Sequence, residues 1–203
     1  PKVEADDVIA YLSKSVITHP KDKSFIVSSD KDFLQLVDEN VVVYRPMEKE
    51  YYTPQTVIDK YKLSPHNFIL HKTLLGDNSD KIKGVKGLGE KGLLKKFPEL
   101  IEKDMSWGDI LNICEEKISE HLVYARIIHG RDDLEKNYKI MDLSNPMLSK
   151  EDKIWLDEIV ASDNLPYYPD QFVSMYNEDQ IGGLIRNVEF WVKDCFNNLV
   201  IKK

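Results

Sequence analysis

Residues 76–92 read GDNSDKIKGVKGLGEKG, and this stretch decides how the rest of the chain is interpreted. Its first half contains two carboxylates three positions apart, Asp77 and Asp80. Its second half is rich in glycine and lysine, and glycine permits tight turns and close approach of the backbone to a ligand. Carboxylate oxygens suit divalent cations, whereas exposed amides beside lysines suit phosphate groups. The stretch therefore predicts a metal-binding segment that leads directly into a phosphate-binding hairpin.

Two further acidic clusters lie upstream. EADD at 4–7 opens a stretch with apolar residues at helical spacing, so its carboxylates occupy the first helical turn. SSDKDF at 28–33 follows the apolar run SFIV, and functional groups gather at the carboxyl ends of strands in α/β sheets. The candidate catalytic and metal-binding residues are the seven carboxylates Glu4, Asp6, Asp7, Asp30, Asp32, Asp77 and Asp80.

Each acidic cluster taken alone also has an ordinary structural explanation. Acidic residues stabilise helix N-termini, and an aspartate after a strand can cap the next helix. Three clusters in one chain favour a metal site, because gathered like charges repel one another unless cations accompany them. No histidine or cysteine accompanies these clusters, so we expect two Mg²⁺ or Mn²⁺ ions rather than zinc. Two such ions support phosphodiester hydrolysis.

The net charge of −7 does not exclude nucleic acid as a partner. Of the 35 acidic residues, setting aside the seven candidate ligands leaves 28, which equals the number of lysines and arginines. Between residues 81 and 96, six lysines accompany a single glutamate, which is an electrostatic footprint for phosphate. The candidate DNA-binding residues here are Lys83, Gly84, Lys86, Gly87, Gly89, Lys91 and Lys95.

The order of predicted elements indicates an α/β region followed by a mainly helical region. A partial parallel sheet is favoured by the alternation of helices and strands in the first region. The order is a helix over 4–17, a strand at 24–30, a short helix and a strand at 41–46. Further helices are predicted to start at Thr53, Ser64, Ser106 and Ser149, with one spanning 65–75. We expect an extended or irregular link at 137–144 and a last helix over 179–200. The predicted domains are 1–63, 64–148 and 149–203.

Composition favours a cytoplasmic protein with no membrane partner. The chain contains no apolar run long enough to span a bilayer and no secretory signal. Cys114 and Cys195 form neither a metal-type spacing nor a disulfide framework, which favours a reducing compartment.

EADD, SSDKDF and LLGDNSDKIKGVKGLGEKG, in this order, resemble the flap endonuclease and 5′-3′ exonuclease family. That family includes the 5′-nuclease domain of bacterial DNA polymerase I and phage 5′-exonucleases. The resemblance covers about residues 1–100, and NYKIMDLSNP with the helical tail is most similar to the T-even phage ribonuclease H branch. It implies a PIN-like α/β nuclease core followed by a helical domain, with 84–92 as a helix-three-turn-helix (helix-hairpin-helix) clamp that often holds K⁺.

The resemblance implies a structure-specific 5′-3′ exonuclease or flap endonuclease that removes RNA primers and flaps during replication. It assigns the seven carboxylates as metal ligands, with Asp77 and Asp80 serving the second ion. The implied partners are double-stranded and branched DNA, RNA–DNA hybrid and a single-stranded-DNA-binding protein. For a phage-encoded protein the expected location is the host cytoplasm.

The sequence departs from the family pattern at its front. In the family, a first-strand aspartate, an aspartate before the arch and basic arch residues all precede EADD, and this sequence does not contain them. We therefore expect the C-terminal part of a larger nuclease, or half of a split nuclease whose partner is a separate N-terminal nuclease segment. One alternative is a non-catalytic fragment that binds branched DNA. Another is a PIN-type ribonuclease, which normally lacks the hairpin clamp.

Overall fold

A three-stranded mixed sheet supports the acidic clusters. In a computed structural model, which describes residues 3–16, 22–162, 168–180 and 183–196, the strands are β1 (Ser24–Val27), β2 (Val41–Arg45) and β3 (Glu50–Tyr52). β1 and β2 are parallel, with Ser24 opposite Val41, as predicted. β3 returns antiparallel to β2, with Tyr52 opposite Val43. This strand was not predicted, because the turn before it uses Lys49 in the left-handed region (φ 53°) rather than a glycine.

One face of the sheet is buried against short helices. α1 (Ala5–Tyr11) continues as a π-helical turn at Leu12–Val16, and a 3-10 helix spans Asp32–Leu36 between β1 and β2. The predicted order of helices and strands in this region is confirmed, but the strand predicted over 24–30 ends at Val27. Residue 17 of the predicted first helix lies outside the described residues. The core below the sheet consists of Ala10, Ile26, Phe33, Leu34, Leu36, Val37, Val41, Val43, Tyr52, Val57, Leu63, Phe68 and Leu143. This packing fixes the loops that carry the first two acidic clusters.

Two helices lead from the sheet to the hairpin. α2 (Pro54–Tyr61) begins after Thr53, whose hydroxyl accepts a hydrogen bond from the Thr56 amide. α3 (Phe68–Leu75) ends at Gly76 as predicted, but its predicted start at residue 65 is wrong. Asn67 is fully buried, and its side-chain amide donates to the carbonyls of Leu100 and Lys103. These tertiary hydrogen bonds stabilise a turn over 65–67 in place of a helical turn.

A second core lies beneath the hairpin. Its helices are α4 (Glu90–Lys96), α5 (Glu99–Glu102), α6 (Trp107–Glu116), α7 (Leu122–His129) and α8 (Arg131–Met141). α6 begins after Ser106 as predicted, and Ser106 forms a capping box with Asp109. The predicted irregular link at 137–144 is wrong over residues 137–141, which are helical. Leu134 and Met141 are buried seven residues apart on α8, so packing of this face stabilises a helix whose sequence is otherwise polar.

The C-terminal part of the chain is also helical. α9 (Lys150–Ala161) begins after Ser149, which exchanges hydrogen bonds with Asp152 as predicted. Two further helices follow, α10 (Pro169–Glu178) and α11 (Val188–Phe196), and Phe172 of α10 stacks on Trp191 of α11. α10 was not predicted from the sequence.

The last helix was predicted to span 179–200, and its predicted start is wrong. Gln180 (φ 52°) and Gly183 (φ 99°) lie in the left-handed region, which ends α10 and delays α11 until Val188. Residues 197–200 lie outside the described part of the chain.

Two compact units are present, residues 1–157 and 158–203. The predicted boundaries after residues 63 and 148 both fall inside the first unit, and the three-domain division stays a prediction. No helix in the described ranges is long and apolar enough to cross a membrane.

The glycine-rich hairpin is attached to the fold through its backbone. β4 (Gly76–Asp77) pairs antiparallel with β5 (Ile82–Lys83), and the Val85 amide donates to the Leu74 carbonyl at 2.8 Å. A Cβ atom at Gly84 would overlap the backbone of Leu75, so only glycine allows this approach. Val85 and Leu88 are buried in the second core and anchor the loop from beneath.

We expect Gly84→Ala to destabilise the first unit by about 2–4 kcal/mol, because the added methyl meets backbone that cannot move aside. Gly92→Ala is the matched control, since Gly92 lies inside α4 with only the end of Leu88 nearby, at 3.5 Å. That change should stabilise by about 0.5–1 kcal/mol. Urea unfolding followed by circular dichroism measures both, and a neutral Gly84→Ala would contradict the close-approach argument.

Candidate metal and nucleic-acid site

The seven predicted carboxylates surround two cavities that share a wall. One cavity, of about 470 Å³, is lined by six of them: Glu4, Asp6, Asp7, Asp30, Asp32 and Asp80. The other, of about 530 Å³, is lined by Asp30, Asp32 and Asp77. Asp30 and Asp32 line both cavities and therefore lie between them. Three segments far apart in sequence thus supply one acidic region, at the carboxyl end of β1.

The loop after β1 is ordered by its own polar groups. The Asp30 amide donates to the Ser28 hydroxyl, and the Asp32 amide donates to the Asp30 carboxylate at 2.9 Å. Arg45, buried on β2, donates to the Ser29 carbonyl at 2.8 Å. These contacts hold the backbone of the DKD segment while leaving the Asp30 side chain exposed. The D-x-D spacing therefore turns both carboxylates toward the same pair of cavities.

The first cluster lies at the start of α1. Glu4 is the N-cap residue, and Asp6 and Asp7 follow in the first turn. Asp7 also accepts a hydrogen bond from the Met147 amide at 2.9 Å, so it fastens the segment after α8 to α1. Burial raises the pKa of Asp6, and repulsion from Asp30 raises it further. This region destabilises its own ionised carboxylates when no cation is present.

The third cluster contains the most closely grouped carboxylates. Asp32, Asp77 and Asp80 each place one oxygen within 4.8 Å of the others. Asp77 ends β4 and Asp80 lies in the turn that leads to β5, and Asp77 accepts a hydrogen bond from the Ser79 amide at 2.8 Å. This trio offers only oxygen ligands, which fits a hard divalent cation such as Mg²⁺ or Mn²⁺.

Lys72 is a functional residue that the sequence reading missed. It is 7% exposed on α3, and its ammonium group contacts Asp32 and lies 2.7 Å from Asp77. The hydrogen bond from Lys72, with a second from Ser79, holds the pKa of Asp77 well below its usual range. A lysine within the apolar helix FILHKTLL was the available signal, since buried lysines require a partner.

The hairpin presents its predicted DNA-binding residues to solvent. Lys83, Lys86, Lys91 and Lys95 are exposed, as are Gly87 and Gly89, and Gly84 is half-buried against Leu75. Gly87 adopts φ +83°, and Gly89 precedes α4 as its N-cap residue. Sequence reasoning missed the residues that hold this loop from behind. Arg126 donates to the Lys86 carbonyl at 2.7 Å, and Asn137 donates to the Lys83 carbonyl at 3.2 Å.

Residues 1–62 match the family model described as the N-terminal resolvase-like domain of 5′-3′ exonucleases. A 5′-3′ exonuclease of Aquifex aeolicus is 37% identical over 160 residues, which cover 75% of this chain and 50% of that protein. The thermostable DNA polymerase I of Thermus thermophilus is 36% identical over 138 residues, covering 63% of this chain and 16% of the polymerase.

Solved structures of bacteriophage T5 proteins share the fold. A T5 flap endonuclease in a pseudo-enzyme–product complex with DNA and metal ions superposes with a TM-score of 0.65 at 21% identity, over 78% of this chain and 58% of that one. The T5 5′-exonuclease with bound zinc superposes with a TM-score of 0.65 at 22% identity, over 78% of this chain and 59% of that one.

The α/β fold, its helical extension and the acidic region define the architecture of the 5′-nuclease class. The match over residues 1–62 and the 37% identity to the Aquifex protein confirm the predicted resemblance to the 5′-3′ exonuclease family. It spans about half the length of the Aquifex relative. The closer likeness to T-even phage ribonuclease H stays a prediction.

We expect Lys72→Met to lower the free energy of unfolding by about 1–3 kcal/mol at pH 7 in EDTA, because it leaves two carboxylates facing each other without a cation. Asp77 has a depressed pKa, so its ion pair stabilises the fold above the unfolded-state pKa and is lost as pH falls through the folded pKa. The loss should therefore persist at pH 5 and shrink at pH 3, as measured by urea unfolding.

Lys14→Met is the matched control for this change. Lys14 also pairs with one carboxylate, Asp38, but their side chains are 31% and 44% exposed. This variant should lose less than about 1 kcal/mol at pH 7. An equal loss in both variants, or a Lys72→Met loss that is unchanged at pH 3, would contradict the role assigned to Lys72.

Proposed function

We propose that this chain is the metal-binding and duplex-binding part of a 5′ nuclease. It would hydrolyse phosphodiesters of DNA or RNA–DNA hybrid near 5′ ends and so remove RNA primers and flaps in replication. The observation that carries the proposal is the joining of Asp77 and Asp80 to the lysine-bearing hairpin through the β4–β5 pair. The name of the Aquifex relative, a 5′-3′ exonuclease, supports the direction of cleavage.

Two divalent ions, Mg²⁺ or Mn²⁺, fit the acidic region. Asp32, Asp77 and Asp80 would hold one ion through the oxygens that already lie within 4.8 Å of one another. Glu4, Asp6, Asp7 and Asp30 line the adjoining cavity and would serve the other. Such ions, when bound, activate water and stabilise the departing oxygen of a phosphodiester. Lys72 neutralises part of the negative charge of Asp32 and Asp77, and so reduces the repulsion between them.

The hairpin would hold the duplex through its phosphate backbone. Lys86 and Lys91 are exposed on either side of Gly87 and Gly89, so amides and ammonium groups are available to the same strand. Contacts of this kind position a duplex without reading its bases, which suits an enzyme that recognises a junction. A K⁺ ion at this hairpin, a cytoplasmic location and a single-stranded-DNA-binding partner are parts of the same proposal.

The direct test is cleavage of 5′-flap DNA by the 203-residue chain with Mn²⁺ or Mg²⁺. We expect Asp80→Asn to lower the cleavage rate at least about a hundredfold, because it removes one charge from the trio. Asp170→Asn, on α10 in the second unit, is the matched control and should cleave at the parental rate. DNA binding in Ca²⁺ should survive both changes, and cleavage that persists in EDTA without any divalent ion would refute a metal nuclease.

Changing Lys86 and Lys91 to Ala should weaken binding of flap DNA about tenfold, with a smaller slope of log affinity against log salt. The loss should be similar for different sequences, because phosphates carry no base identity. Lys23→Ala with Lys103→Ala removes two exposed lysines elsewhere and should leave the slope unchanged. Fluorescence anisotropy at several salt concentrations measures both, and equal slopes would remove the hairpin from the interface.

A second candidate function is favoured by the outer face of the sheet. We propose that the isolated chain binds branched DNA without cleaving it until a separate N-terminal nuclease segment docks. β1 is an edge strand, and Phe25, Val27 and Tyr51 are 58%, 67% and 56% exposed. Parallel sheets are normally covered on both faces, so this apolar face suits a polypeptide that adds a strand and a helix. Cleavage that appears only after adding the N-terminal half of a relative would favour this candidate.

A further inference from the structure

The larger of the two cavities extends from the carboxylates to α4, the helix that follows the hairpin. Asp30, Asp32 and Asp77 line one side of it, and Glu90, the first residue of α4, lines another. On the proposed function, a strand held both by the metal ions and by the hairpin has to pass through this space. Its volume of about 530 Å³ lies in the range of small-molecule binding sites, roughly 300–1,000 Å³.

Aromatic side chains form part of the wall of this cavity. Tyr61 packs edge-on against Phe68 with ring centroids 5.1 Å apart, and His71 stacks on Phe68 at 5.5 Å. Phe68 is buried and supports the other two, which are only partly buried. A nucleic-acid base can stack on such rings whatever its identity, because every base has a π-face.

Two donor groups in the wall have no acceptor within the described ranges: the ammonium group of Lys31 and the Nε of Arg45. Lys31 makes no ion pair there, and its ammonium group lies 6.0 Å from the centroid of the Tyr61 ring. Arg45 is 6% exposed and pairs with Glu48 at 2.9 Å, but its buried Nε has no hydrogen-bond partner. An unpaired buried donor is rare in folded proteins and indicates a missing acceptor. The free donors and the aromatic rings line the same cavity.

We propose that this cavity is a subsite for one nucleotide of the bound strand, between the metal ions and the hairpin. Lys31 and the Nε of Arg45 would bind the phosphate, and Tyr61 with His71 would stack on the base. The subsite rests on the proposed nuclease function and extends it to base contacts that tolerate any sequence.

Photo-crosslinking tests the subsite directly. The probe is a 5′-tailed duplex with one 5-iodo-deoxyuridine placed in turn at each position around the junction, bound in Ca²⁺ to prevent cleavage. We expect one position to form an adduct that mass spectrometry maps to Tyr61 or His71. Adducts confined to other segments, with DNA binding intact, would overturn the subsite alone. A failure of the chain to bind the tailed duplex would overturn the nuclease proposal together with it.

Variants give a second, independent measurement by fluorescence anisotropy. Tyr61→Leu should weaken binding of the tailed duplex about tenfold, whereas Tyr61→Phe should restore affinity because it keeps the ring. Lys31→Gln should weaken binding about threefold to tenfold and reduce the salt slope by about one. Lys153→Gln is the matched control, since Lys153 lies 5.6 Å from the Tyr11 ring in a similar pair elsewhere. Equal affinity of Tyr61→Leu and Tyr61→Phe, with circular dichroism unchanged, would overturn the stacking role.

Discussion

Repulsion among gathered carboxylates is the constraint on which the rest of this structure depends. Seven acidic side chains line two cavities that share a wall, and gathering them costs free energy. Burial raises the pKa of Asp6, and repulsion from Asp30 raises it further. Lys72 offsets part of the cost from inside the apolar core. On the proposed function, divalent cations would offset the remainder, because a bound cation neutralises carboxylates that otherwise repel one another.

The fold supports that acidic region with rigid contacts. Gln35, buried beside the Asp32 segment, donates to the Met141 carbonyl and accepts from the Leu143 amide. This pair of hydrogen bonds joins the 3-10 helix to the end of α8, more than a hundred residues away in sequence. Arg126 and Asn137 hold the hairpin in the same way, through its carbonyl groups. The exposed, charged residues of the site are thus positioned by side chains that hydrogen-bond to the backbone of distant segments.

Much of the architecture could be predicted, because it follows from local patterns. The parallel pair of strands, the caps at Thr53, Ser106 and Ser149 and the end of α3 at Gly76 depend on residues close in sequence. The failures occurred where tertiary contacts overrode local preference. Asn67 delays α3 through hydrogen bonds to Leu100 and Lys103, and burial of Met141 extends α8 through a polar segment. Local sequence patterns predict neither the hydrogen bonds of Asn67 nor the burial of Met141, because both depend on residues distant in the sequence.

The chemistry of the site follows from the sequence alone: oxygen ligands in three clusters, a glycine–lysine hairpin next to the third, and the resemblance to the 5′-3′ exonuclease family. Those features are local in the chain, because each motif carries its own chemistry in a few consecutive residues. The tertiary structure was needed to show which carboxylates lie close together and that Lys72 lies between Asp32 and Asp77. It was also needed to show that Lys31, Arg45 and Tyr61 line one cavity. Distances between segments are set by the packing of β1, α3 and the hairpin, and a linear sequence does not record them.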